Sequence, residues 1–125
     1  MSETSVDVCA AGDLEPGGMA PARLGMLPIV VVRTLDGQLH GLVDRCLHQG
    51  ARLSGGRLLP HTEGDTLGEY RMLDSREVLK CPWHGYEYDV RTGCAVFDRR
   101  RALRRIEVRE EAGRIVASAP NVSAS

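Results

Sequence analysis

Ile29, Val30, Val31 and Val32 follow one another between Pro28 and Thr34. Four successive β-branched side chains are stiff about χ1 and pack well on a pleated surface, so the run predicts a strand. Leu35-Asp36-Gly37 supplies the turn that ends it, and Gln38 to Asp44 is expected to pair back. The chain as a whole is punctuated into short segments by 14 glycines and 6 prolines among 125 residues, a pattern that suits strands and turns better than helices. Further strands are expected over Val6 to Ala10, Glu77 to Cys81, Gly85 to Val90, Leu103 to Arg109 and Gly113 to Ser118. The last two form a hairpin around Glu110-Glu111-Ala112-Gly113, with Leu103, Ile106, Val108, Ile115 and Val116 as its core. The expected fold class is all-β.

Such a chain has the size of one domain, taken here as residues 1–125, and can bury a core without disulfides. One stretch is out of pattern. Arg57 to Arg76 is long and polar, an insertion-like segment in which Glu69 to Leu73 is a candidate short strand. The acidic residues of the Gln49 to Lys80 connection, Glu63, Asp65, Glu69, Asp74 and Glu77, read as a solvated loop, with a docking face as the rival reading. Asn121 to Ser125 reads as a tail. Sixteen basic and 17 acidic residues give a formal charge of -1, too balanced for a nucleic-acid or anionic-membrane binder. No apolar run approaches the roughly 18 residues of a membrane span, and Met1 to Asp7 lacks the features of a secretory signal. The expectation is a soluble cytoplasmic protein, where cysteines near histidines are more often metal ligands than disulfides.

Two such groupings stand in the sequence. Cys46-Leu47-His48 is a Cys-x-His pair and Cys81-Pro82-Trp83-His84 a Cys-x-x-His pair, each on an expected loop. Gly50 and Gly85 follow closely, where the backbone must wrap tightly, and Pro82 stiffens the second loop. Two thiols and two imidazoles suit an iron-sulfur centre or a structural zinc ion. Cys9 and Cys94 have no histidine at either spacing, and His40 and His61 read as surface or structural residues, so none of the four is assigned a metal role.

The motifs Cys46-Leu47-His48-Gln49-Gly50-Ala51 and Cys81-Pro82-Trp83-His84-Gly85-Tyr86-Glu87-Tyr88-Asp89 resemble the two cluster-binding boxes of the Rieske family. The resemblance runs from the valine strand through the final hairpin. It implies the Rieske fold, an antiparallel β-sandwich with a small cluster-binding subdomain formed by two loops, and one Rieske-type 2Fe-2S cluster. Cys46 and Cys81 would hold one iron, and His48 and His84 the other. Two neutral ligands in place of two anions make the cluster easier to reduce than an all-cysteine one.

The resemblance also sorts the branches of the family. Respiratory Rieske proteins carry an extra cysteine in each box, joined as a disulfide; Ala51 and Trp83 stand there in this chain. The chain is instead similar to the Rieske ferredoxins of multicomponent oxygenases. That implies an electron carrier rather than an enzyme, taking electrons from an NAD(P)H-dependent ferredoxin reductase and delivering them to a terminal oxygenase. The alternatives are a Rieske-like small subunit of a reductase such as nitrite reductase, and a zinc-stabilised binding module. Tyr88 matches the tyrosine of high-potential relatives, while Tyr86 stands where those have a serine. Arg99, Arg100, Arg101, Arg104 and Arg105 read as a solvated basic face, able to steer an acidic partner by long-range attraction.

Overall fold

The computed structural model describes residues 3–46, 52–60, 77–82, 87–96 and 100–120. Within them the chain forms nine strands: β1 Glu3–Ala10, β2 Met19–Leu24, β3 Leu27–Arg33, β4 Leu39–Val43, β5 Arg57–Pro60, β6 Glu77–Lys80, β7 Glu87–Asp89, β8 Arg105–Glu111 and β9 Arg114–Pro120. Six of them make one antiparallel sheet in the order β1-β9-β8-β4-β3-β2, and β5-β6-β7 make a second, smaller one. The all-β antiparallel expectation holds. No described helix is long and apolar enough to cross a membrane.

The valine run explains itself once both sheets are in place. Antiparallel strands commonly bury one face and wet the other, yet Ile29, Val30, Val31 and Val32 are all fully buried. Their side chains divide between two layers. Ile29 joins Leu24, Ile106, Ala117 and Ala119 inside the curl of the large sheet, and Val31 packs with Leu14 and Ile115. Val30 and Val32 point the other way, into a cluster with Leu42, Leu53, Leu79, Tyr88, Val90, Leu103 and the two cysteines Cys46 and Cys81. β3 is therefore the shared wall between the large sheet and the smaller one. Fully burying each such side chain contributes about 1.5–3 kcal/mol, so this strand alone anchors both layers.

Two strands were not foreseen. β2, Met19-Ala20-Pro21-Ala22-Arg23-Leu24, lacks a β-branched residue and carries a proline. It is a strand because β3 offers a full ladder, with Met19 opposite Val32 and Leu24 opposite Leu27. Pro21 is tolerated because β2 is the last strand of the sheet order, where one backbone edge needs no ladder partner. β5 occupies the first four residues of the long polar stretch and pairs with β6, Arg57 against Lys80 and Pro60 against Glu77. Glu69 to Leu73 lies outside the described residues.

The expected hairpins are in place. β3 and β4 join through Leu35-Asp36-Gly37, where Gly37 takes φ 88° and the Thr34 hydroxyl bonds the Asp36 carboxylate. β8 and β9 join through Ala112 (φ 50°) and Gly113 (φ 77°), a two-residue turn with both φ positive. Leu103, Ile106 and Ile115 are core residues as expected and Val108 packs against the core, but Val116 is only half-buried. Strand alternation sends Ile115 and Ala117 inward and turns Val116 to the other face. Glu77 also departs from expectation: instead of lying in a solvated loop it is buried, and both its oxygens accept the Leu35 N–H, at 3.1 and 3.0 Å. β6 carries it inward, under the β3–β4 turn. The other acidic residues of that group, Glu63, Asp65, Glu69 and Asp74, lie outside the described residues.

Candidate metal centre

Each of the two cysteines of the paired motifs sits where a strand ends. β4 ends at Val43, and Asp44 and Arg45 bend the chain before Cys46; β6 ends at Lys80, directly before Cys81. Both thiols are buried, 2% exposed each, and both belong to the cluster between the sheets. Two segments far apart in sequence thus deliver two soft sulfur donors to one water-poor place. His48 and His84 lie outside the described residues, as do Trp83, Tyr86, Ala51, Gly50 and Gly85.

Tyr88 is the third member of this arrangement. It lies in the middle of β7, opposite Leu79 of β6 and bridged to Ala95. Its ring is fully buried, and its hydroxyl stands 3.3 Å from Cys46 Sγ. That burial keeps the hydroxyl away from bulk water. With Cys46 as a thiolate, only the hydroxyl can donate in this pair, and a bond to a charged acceptor is stronger than a neutral one.

The loop that starts at Cys46 is tied at its far side. Asp44, fully buried, accepts the Ser54 N–H at Oδ1 (2.7 Å) and the Ser54 hydroxyl at Oδ2 (2.6 Å). Ser54 belongs to a short 3-10 helix, Leu53–Gly55, whose Leu53 is fully buried in the same cluster as the cysteines. The next residue, Gly56, lies so close to β6 that a Cβ there would overlap the Lys80 carbonyl oxygen, immediately before Cys81. The sequence reading did not single out Asp44 or Ser54. The only signal was a carboxylate at the end of an apolar strand, two residues before a candidate ligand.

The residues set aside in the sequence take ordinary places. Cys9 is half-buried in β1, where burial, and then Asp13, push its thiol above the usual range. Cys94 is half-buried, its N–H donating to the Thr92 hydroxyl. His40 lies in β4; burial, then Arg105 and Arg91, hold its imidazole below the usual range, and Arg105 stands 3.1 Å from its Nδ1. Arg100, Arg101, Arg104 and Arg105 are exposed; Arg99 and His61 lie outside the described residues.

Thiolates are the ligands that iron-sulfur clusters and other soft metal centres select, and the protected sulfurs of Cys46 and Cys81, one faced by a hydroxyl donor, fit the thiolate half of such a centre. Comparison with known proteins names the class. The Rieske 2Fe-2S domain family matches residues 4–110, and the chain belongs to that family, whose cofactor is a Rieske-type 2Fe-2S cluster. Ferredoxin CarAc of Metapseudomonas resinovorans is 35% identical over 94 residues, covering 74% of this chain and 72% of that protein. Apoptosis-inducing factor 3 of Mus musculus is 34% identical over 86 residues, but this chain spans only 11% of its length. Among solved structures, the ferredoxin of carbazole 1,9a-dioxygenase from Nocardioides aromaticivorans IC177 superposes with a TM-score of 0.69 at 25% identity, covering 91% of this chain and 96% of that one. The NADH-dependent nitrite reductase small subunit from Mycobacterium tuberculosis superposes at 0.77 with 21% identity, covering 98% and 100%, a likeness of fold.

Proposed function

We propose that this chain is a soluble one-electron carrier that takes electrons from an NAD(P)H-dependent reductase and passes them to a terminal oxygenase, with its 2Fe-2S cluster held by Cys46, His48, Cys81 and His84. The observation that carries the reading is the burial of Cys46 and Cys81 in one cluster between the sheets, at the ends of the two motif-bearing strands. The likeness to ferredoxin CarAc and to a carbazole 1,9a-dioxygenase ferredoxin supports the oxygenase branch. On this reading the chain is a carrier rather than an enzyme, and its compartment is the cytoplasm, where thiols stay reduced.

The cluster supplies reversible one-electron exchange at a potential within about -150 to +300 mV. The chain's own residues do the rest. β3, β6 and β7 exclude water from the sulfurs, and Tyr88 offers its hydroxyl proton to Cys46 Sγ. With His48 and His84 as neutral ligands the cluster would carry a less negative total charge than with four thiolates, and their outer ring nitrogens would be the exchange edge toward partners. The exposed arginines 100, 101, 104 and 105 favour encounter with an acidic partner.

The test is spectroscopic first and kinetic second. Freshly purified protein should be brown, bleach with dithionite and give a Rieske electron-spin-resonance signal, and Cys46→Ser or Cys81→Ser should abolish the colour because a hydroxyl is a poor substitute for a soft thiolate. A colourless protein with stoichiometric zinc, or an unchanged spectrum in either serine variant, overturns the ligand assignment. Reduction by NADH through a ferredoxin reductase, followed by reoxidation on adding a terminal oxygenase and its substrate, supports the proposed partners. Reoxidation only by a nitrite reductase catalytic subunit overturns them.

A further inference from the structure

The bond pair between Asp44 and Ser54 is more than a loop closure. Asp44 is fully buried, and a buried carboxylate costs several kcal/mol unless its oxygens are satisfied. Here both are, and both by the same residue: Oδ1 takes the Ser54 N–H and Oδ2 the Ser54 hydroxyl, at 2.7 and 2.6 Å. Two bonds to one residue fix its rotation as well as its distance. Asp44 is itself fixed from the other side, its N–H donating to the Pro28 carbonyl at 2.9 Å. The two clamped residues bracket the first motif, Cys46 to Ala51, so the clip joins that loop's entry to its exit.

The exit side reaches the second motif as well. A Cβ on Gly55 would stand 3.8 Å from Pro82 Cγ, and Gly56 backs onto the Lys80 carbonyl. Whatever holds Ser54 therefore also sets how residues 53–56 sit against the segment that presents Cys81. A neutral asparagine would serve to close a loop. A carboxylate placed two residues before Cys46, with its charge held in the low-dielectric interior, also acts on the sulfur electrostatically.

We infer that Asp44 is a positioning residue for the cluster: through Ser54 it holds the exit of the first motif against the segment that presents Cys81, and its buried negative charge makes the cluster harder to reduce. The inference rests on the proposed ligand role of Cys46. It assigns to Asp44 no contact with iron.

Three variants test it, read by iron release to a chelator and by voltammetry of the loaded protein. Ser54→Ala keeps the backbone N–H bond and loses the hydroxyl bond. It should release iron at least about tenfold faster, the factor corresponding to one hydrogen bond to a charged acceptor at the low end of its range. Ser118→Ala is the matched control: it removes another buried serine's bond, the one from Arg109 Nη1 in β8 to β9, and should release iron at the wild-type rate. Asp44→Asn keeps an oxygen for the Ser54 N–H and loses the charge, so its reduction potential should shift upward. Wild-type iron release in Ser54→Ala, equal acceleration in Ser54→Ala and Ser118→Ala, or an unshifted or lowered potential in Asp44→Asn each overturns the inference. If Asp44→Asn yields no folded protein, Ser54→Ala and its control decide. A wild-type protein without a Rieske spectrum would instead overturn the ligand assignment, and this inference with it.

Discussion

Removing one oxygen atom tests how the protein tunes its centre. Tyr88→Phe keeps the ring that fills the cluster between the sheets and deletes only the hydroxyl, which stands 3.3 Å from Cys46 Sγ in a fully buried place. The place is buried, so the sulfur loses this donor without gaining exposure to solvent. Reduction adds one negative charge to the cluster, and a donor to a ligating sulfur stabilises the more negative state more. A net hydrogen bond of about 1 kcal/mol corresponds to about 40 mV for one electron. The expected result is a potential lower by roughly that amount, with the visible spectrum of the cluster retained and the protein folded. Protein-film voltammetry on both proteins under the same buffer reads it directly. An unchanged potential, or one that rises, refutes the reasoning, because it would mean that this hydroxyl does not favour the reduced state.

The remaining expectations concern the frame around the centre. Gly56→Ala should cost roughly 3 kcal/mol and reduce iron content, since its Cβ would overlap the Lys80 carbonyl oxygen, a backbone atom that cannot swing aside; thermal unfolding and iron assay check it. Ala112→Asn should stabilise the protein by about 0.5–1 kcal/mol, because Ala112 holds φ 50° in a turn whose first position favours asparagine; a lower melting temperature would count against it. Burial, and to a smaller extent Asp36, hold the Glu77 carboxyl above its usual range, against the pull of the Leu35 N–H and Arg91. The fold therefore favours the protonated form, a contribution present below the unfolded value near 4.5 and lost as pH rises through the raised folded value. Glu77→Gln should remove that decline from the pH dependence of urea unfolding, and identical slopes in both proteins would refute it.

The sequence alone determined the elements whose signals are local. A β-branched run announced β3, turn residues announced both hairpins, and two cysteine-histidine spacings with their flanking glycines and proline announced the family, which fixes the cofactor class. Such signals are read within a few residues because propensity, turn chemistry and ligand spacing are short-range properties. Tertiary structure decided what depends on a neighbour. β2 has the composition of a loop and became a strand only because β3 lent it a ladder; β5 was hidden in a polar stretch and exists by pairing with β6. Glu77 read as surface and is buried, because the β3–β4 turn closes over it. The reach of the Tyr88 hydroxyl to Cys46, 42 residues away, and the grip of Asp44 on Ser54 likewise follow from how two sheets pack across a shared strand. No periodicity encodes those distances: they are set by the closing of the core, after which each buried polar group must find whichever partner the packing has brought within reach.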